Sequence, residues 1–117
     1  MKRIYLLLGI AAAALVVTAA ATPMALPKLA GTVGPGFTIS LKRGLAPVTL
    51  LKAGKYTFVV TDKSAIHDFH LKGPGLSRAI TAVGFTGTKT VTLTLKKGRY
   101  TYVCDVHPNM VGHFTVT

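Results

Sequence analysis

Residues 99–117 read RYTYVCDVHPNMVGHFTVT. Arg99 to Cys104 carries the two-residue period of a strand, and His113 to Thr117 carries it again, so the spacing predicts two strands joined by a loop from Asp105 to Gly112. The first strand ends on Cys104, the single cysteine of the chain. His107 and Met110 follow at the spacing Cys-x2-His-x2-Met, with Pro108 stiffening the segment after His107. One soft thiolate, one imidazole and one thioether are an unusual set for so short a run. A second histidine from another strand would complete the donor set that holds a single copper ion in an electron-transfer site.

Working outward, the same period recurs. Phe37, Ile39 and Leu41 alternate with polar residues, Val48 to Leu50 is a short strand, and Lys52-Ala53-Gly54 turns into a strand carrying Tyr56, Phe58 and Val60 on one face. His67, Phe69 and Leu71 form the next same-face set, closed by Gly73-Pro74-Gly75. Val91, Leu93 and Leu95 follow, closed by Lys96-Lys97-Gly98. The stretch from Lys72 to Lys89 reads as a long connection or a small extra strand around Ile80 to Phe85. No stretch of residues 22–117 offers sustained helical periodicity. Seven short strands with glycine-containing turns predict an all-β fold, a Greek-key antiparallel β-sandwich or barrel.

The sequence also echoes itself. Leu51 to Val60 (LKAGKYTFVV) resembles Leu95 to Cys104 (LKKGRYTYVC), a basic turn feeding a strand that opens on a tyrosine. Two copies at this distance carry no stacking logic, so they read as two similar corners of one sandwich. The copies differ at their ends, where Cys104 stands in the place of apolar Val60.

Strand parity selects the distant histidine. His67 shares the face of Phe69 and Leu71, whereas His70 points the other way with Asp68. The expected metal ligands are therefore His67, Cys104, His107 and Met110, with His70 and His113 as surface or structural residues. Zinc could occupy such a set, but structural zinc prefers more thiolates and gains nothing from a thioether. No position stands open for a substrate, and four histidines in the whole chain are too few for a multicopper oxidase, so the protein is not expected to be an enzyme.

The N-terminus places Met1-Lys2-Arg3 before an apolar run from Ile4 to Val17 and the small residues Ala19-Ala20-Ala21. This is the pattern of a secretory signal peptide over residues 1–21, cut after Ala21, with an uncleaved anchor as the alternative. Residues 22–36, rich in proline and glycine, read as a leader, leaving 37–117 as the binding domain. Export makes an unpaired thiol a liability unless it is buried, paired between chains or metal-bound. Lys and Arg total 14 against three acids, Asp62, Asp68 and Asp105. Such a surface suits acidic protein patches, anionic membranes or cell-wall polymers. Export, and basic residues scattered without interleaved aromatics, argue against nucleic acid.

The segment Tyr100-x-Tyr102-x-Cys104-x-x-His107-Pro108-x-Met110-x-Gly112-x-Phe114-x-Val116, with His67-Asp68-Phe69 upstream, resembles the small blue copper proteins, the cupredoxins, and among them the short-loop, amicyanin-like members. The resemblance spans roughly Gly36 to Thr117. It implies a copper-binding Greek-key sandwich, monomeric, exported to the periplasm or beyond, that shuttles one electron between redox protein partners. It further implies that the His107 ring edge is the electron port, and that Pro108, Met110, Val111 and Phe85 make an apolar docking patch. One residue departs from the family pattern: Asp68 stands where an asparagine commonly ties the two ligand-bearing segments together. With Asp105 it is expected to add negative charge near the metal and alter its surroundings. Copper delivery, scavenging or resistance, and a metal-free structural sandwich with an inert Cys104, are the alternative functions.

Overall fold

The computed structural model describes Lys2, residues 9–18 and residues 24–117. Of the signal segment expected over residues 1–21, residues 1, 3–8 and 19–21 lie outside the described residues. Among the described residues, no helix is long and apolar enough to cross a membrane.

Among the described residues, ten strands build the domain: β1 (Lys28–Val33), β2 (Ile39–Arg43), β3 (Ala46–Pro47), β4 (Leu50–Leu51), β5 (Gly54–Asp62), β6 (Phe69–Gly73), β7 (Leu76–Thr81), β8 (Gly87–Leu95), β9 (Gly98–Cys104) and β10 (His107–Val116). They form two five-stranded sheets, ordered β3-β2-β1-β5-β8 and β4-β10-β9-β6-β7. The inner faces meet in a core that includes Leu29, Phe58, Phe69, Leu71, Tyr100 and Phe114, all fully buried or nearly so. Alternation drives this arrangement. In β5, Tyr56, Phe58 and Val60 are buried while Thr57 and Val59 between them are only half-covered. Two stacked aromatic pairs, Phe69 on Tyr102 and Tyr100 on Phe114, fill the core of the second sheet.

Several expectations are corrected. Residues 22–36 are not a leader throughout: Lys28–Val33 is the strand β1, central in the first sheet, with Leu29 and Val33 fully buried. Its small residues Ala30, Gly31 and Thr32 weaken the apolar alternation, but Gly31 lets the Phe69 ring lie against the backbone, where an added Cβ would meet it at 3.0 Å. The sheets are also not purely antiparallel, since β1 runs parallel to β5 and β4 parallel to β10. The extra strand in the 72–89 stretch is β7, Leu76–Thr81, set earlier than Ile80 to Phe85 because Pro74-Gly75 already makes a tight hairpin. Finally, Asp105–Gly112 is mostly strand. β10 begins at His107 and pairs with β9 from His107 onward, with a register shift between His107 and Val111.

The echo in the sequence is an echo in the fold. Tyr56 Oη donates to the Lys52 carbonyl at 2.7 Å and Tyr100 Oη donates to the Lys96 carbonyl at 2.9 Å. Each is a tyrosine bonded back four residues across a basic turn, one at the start of β5 and one at the start of β9. The two corners bring β5 and β9 into opposite sheets from the same end of the sandwich, so both strands finish at the other end.

Candidate metal centre

Cys104 is the last residue of β9 and is fully buried. His107 opens β10 three residues later, across the turn Asp105-Val106, which brings its Nδ1 to 3.6 Å from the Cys104 sulfur. His67 lies just before β6, two residues ahead of Phe69, and parity carries it inward with Phe69 and Leu71, so it too is fully buried. The three side chains converge. His67 Nδ1 lies 3.1 Å from His107 Nδ1 and 3.8 Å from Cys104 Sγ, and Cys104 Sγ lies 3.6 Å from His107 Nδ1. Two facing imidazole nitrogens this close need a proton or a metal ion between them.

The donor set fits a metal ion. A point in the plane of the three atoms lies about 2.0 Å from each, close to the length of a transition-metal bond to an imidazole nitrogen. Ring orientation is fixed from outside: His67 Nε2–H donates to the Gly36 carbonyl at 2.9 Å, which leaves the Nδ1 lone pair aimed into the cluster. Met110 is buried, three residues after His107, inside the irregular segment of β10. A thiolate, two imidazoles and a neighbouring thioether are consistent with a single type 1 copper site.

Around this cluster lies a second group, Asp68, His70 and Asp105. Asp68 Oδ1 accepts the Asp105 N–H at 2.6 Å, tying the segment after His67 to the segment after Cys104. Burial pushes the Asp68 carboxyl above the usual carboxylate range, helped by its hydrogen bond with the Asp105 carboxyl and opposed by the Asp105 N–H. Burial would raise Asp105 as well, but the Asp68 carboxyl, His70 and Lys72 outweigh it and hold Asp105 low. Asp68 makes the tie expected of an asparagine through Oδ1, and the two carboxyls are shifted in opposite directions. His70 Nδ1 lies 2.7 Å from Asp105 Oδ2, its Nε2 lies 2.8 Å from Ser77 Oγ, and Lys72 Nζ approaches Asp105 at 3.5 Å. A lysine already faces this carboxylate, so the group is an ion-pair network. His113 lies further along β10, its Nδ1 3.0 Å from Thr101 Oγ1.

No family model and no curated protein matches the chain. Solved structures do. A substituted rusticyanin is 26% identical, with a TM-score of 0.50, over 77% of this chain and 76% of its own. Another rusticyanin structure, described as that of a copper protein, is 23% identical with a TM-score of 0.50 over the same shares. A reduced amicyanin variant is 19% identical, with a TM-score of 0.48, over 77% of this chain and 82% of its own.

The fold is that of the cupredoxins.

Within this cupredoxin-like frame, two contributors to the site escape the sequence reading. Gly36 supplies the carbonyl that orients His67. Phe37 stands 68% exposed, outside β2, with its ring packed edgewise on both histidines at centroid distances of 5.6 Å from His67 and 5.0 Å from His107. Phe37 reads as a core residue because it continues the alternation of Ile39 and Leu41, but the strand starts only at Ile39. The Gly34-Pro35-Gly36 run gives no hint of its neighbour, because the contact spans 31 positions. The expected apolar patch is also redrawn. Met110 is buried, and Phe85 is half-buried beneath Lys89 Nζ, 4.5 Å from its ring centroid. Exposed apolar residues beside the histidines are Phe37, Ile66, Val106 and Pro108.

Proposed function

We propose that the protein is an exported, mononuclear type 1 copper protein that carries single electrons between redox partners. The observation that carries this reading is the convergence of His67 Nδ1, Cys104 Sγ and His107 Nδ1 within 4.8 Å of one another in a cupredoxin-like sandwich. Bound there, copper would supply a one-electron couple between Cu(I) and Cu(II). Residues of the chain supply the rest. Cys104 offers a thiolate shielded from solvent, the Gly36 carbonyl holds the His67 tautomer and Asp68 clamps the Cys104 turn, so the donors stand ready without rearrangement. Met110 would add a weak thioether donor.

Burial of Cys104 and His67 favours electron transfer over copper delivery, which needs a donor set a partner can reach. His107 alone among the three is partly exposed, and Phe37, Ile66, Val106 and Pro108 around it suit an apolar contact with the redox partner. Residues 1–21 would direct export, as their basic start and apolar run suggest, and residues 24–117 would be the carrier domain.

Adding Cu(II) to the full chain tests this reading. We expect an intense visible thiolate-to-copper charge-transfer band that bleaches reversibly on reduction and is absent in Cys104→Ser. A colourless wild-type protein, or a band that survives in Cys104→Ser, would overturn it.

A further inference from the structure

We infer that the end of the sandwich opposite Cys104 is a docking surface for an anionic lipid bilayer. This goes beyond the electron-carrier reading and does not depend on it.

Register fixes which residues share that end. Gly54 pairs with Leu95 and Gly98 with Val116, and Arg43 lines one cleft with Lys52 and Thr117. The β4–β5 turn, the β8–β9 turn and the Arg43 end of β2 therefore lie together, and they carry Arg43, Lys52, Lys96, Lys97 and Arg99, all exposed. All three acids of the chain lie toward the other end: Asp62 closes β5, and Asp68 and Asp105 flank the metal-site residues. Cations lie at both ends, Lys63 and Lys89 among them near the acids, so these turns are the end with no acid to offset them. β5 spans nine residues, about 30 Å at the rise of an extended strand. A bilayer touching the basic end would then leave the acids several screening lengths away, about 8 Å each at physiological salt. Attraction acts at full strength while repulsion is screened.

The basic end is also apolar in the right places. Leu45, at the tip of the β2–β3 turn beside Arg43, is 97% exposed, and Leu50 is 63% exposed. Leu50 also borders a cleft of about 480 Å³ whose other apolar walls are Pro27, Leu51 and Tyr56 and whose cations are Arg43 and Lys52. Apolar side chains next to basic ones are what inserts at a headgroup boundary, the first into acyl chains and the second onto phosphates. An acidic protein or a polyanion would engage the cations but leave Leu45 in water. The chain also enters the sandwich near this end, where β1 begins with Lys28 paired to Thr57. Docked this way, the molecule directs Cys104 and His107 away from the bilayer.

The chain contains no tryptophan, which makes the test direct. Leu45→Trp and, as a control at the other end, Val83→Trp are each mixed with vesicles of phosphatidylcholine alone or with phosphatidylglycerol added. We expect the emission of Leu45→Trp to shift to the blue only with the anionic vesicles, and Val83→Trp to stay unchanged. Co-sedimentation of the full chain gives a second readout as the ratio of anionic to neutral binding. Lys96→Gln with Lys97→Gln should lower that ratio about twenty-fivefold, about fivefold per charge. Lys63→Gln with Lys89→Gln removes the same charge at the far end and should change it less than about twofold because of screening. Equal losses from the two pairs, or tryptophans that shift together or not at all, would overturn the inference.

Discussion

Cys104, His67 and His107 owe their readiness to residues that donate nothing to a metal. The Gly36 carbonyl decides which His67 nitrogen faces inward, the Phe37 ring covers both imidazoles, and Asp68 pins the backbone immediately after Cys104. Asp68 acts here as a hydrogen-bond acceptor in a buried setting, and the clamp needs the oxygen that accepts the Asp105 N–H. Asp68→Asn keeps that oxygen and should change unfolding free energy by less than about 1 kcal/mol. Asp68→Ala strands the Asp105 N–H and should cost about 1–3 kcal/mol. Urea unfolding of the three proteins side by side checks this, and equal stability of the Ala and Asn variants would refute the clamp. Parity alone separated His67 from His70 in the sequence, because a two-residue period assigns faces before any partner is known. Gly36 and Phe37 were not legible at this scale, since their importance lies in contacts far along the chain.

At the scale of elements, β9 and β10 make the site by running antiparallel into a turn of two residues, with Cys104 paired to His107. The register beyond that shift rests on Gly112, which pairs with Tyr102 and lies so close under its ring that an added Cβ would overlap the phenol at 2.1 Å. No rotamer change of a core-packed tyrosine absorbs such an overlap without loss elsewhere. Gly112→Ala should therefore cost about 2–4 kcal/mol and shift the copper spectrum, whereas Gly36→Ala, with open space at its Cβ, should leave stability within about 0.5 kcal/mol. Thermal unfolding and the visible spectrum of the two variants measure both effects. Sequence periodicity found β5, β8 and β9 well because their apolar residues alternate without interruption. It missed β1, where Ala30 and Gly31 dilute the pattern, and it read β10 as starting late, because Pro108, Asn109 and Gly112 look like loop residues even where the backbone is extended.

For the whole molecule, the sandwich is a spacer that holds a metal-binding end and a basic end apart, each built from turns that sequence separates widely. Metal binding and global stability are linked, because the donor set exists only in the folded chain. Copper at a hundred times its dissociation constant should stabilise the protein by about 2.7 kcal/mol. The same copper should give little stabilisation to Cys104→Ser, and differential scanning calorimetry with and without Cu(II) measures the difference. By itself the sequence determined the all-β class, the pair of matching tyrosine corners, the Cys-x2-His-x2-Met run and the face of His67. These follow from side-chain period and local spacing, which are written in neighbouring residues. Tertiary structure alone decided that β1 is a central strand paired parallel to β5, that Gly36 and Phe37 complete the site, and that the acids gather toward one end and leave the other with cations alone. Those outcomes depend on which strands pair and in what register, and pairing is settled by the burial of the core as a whole rather than by any one segment.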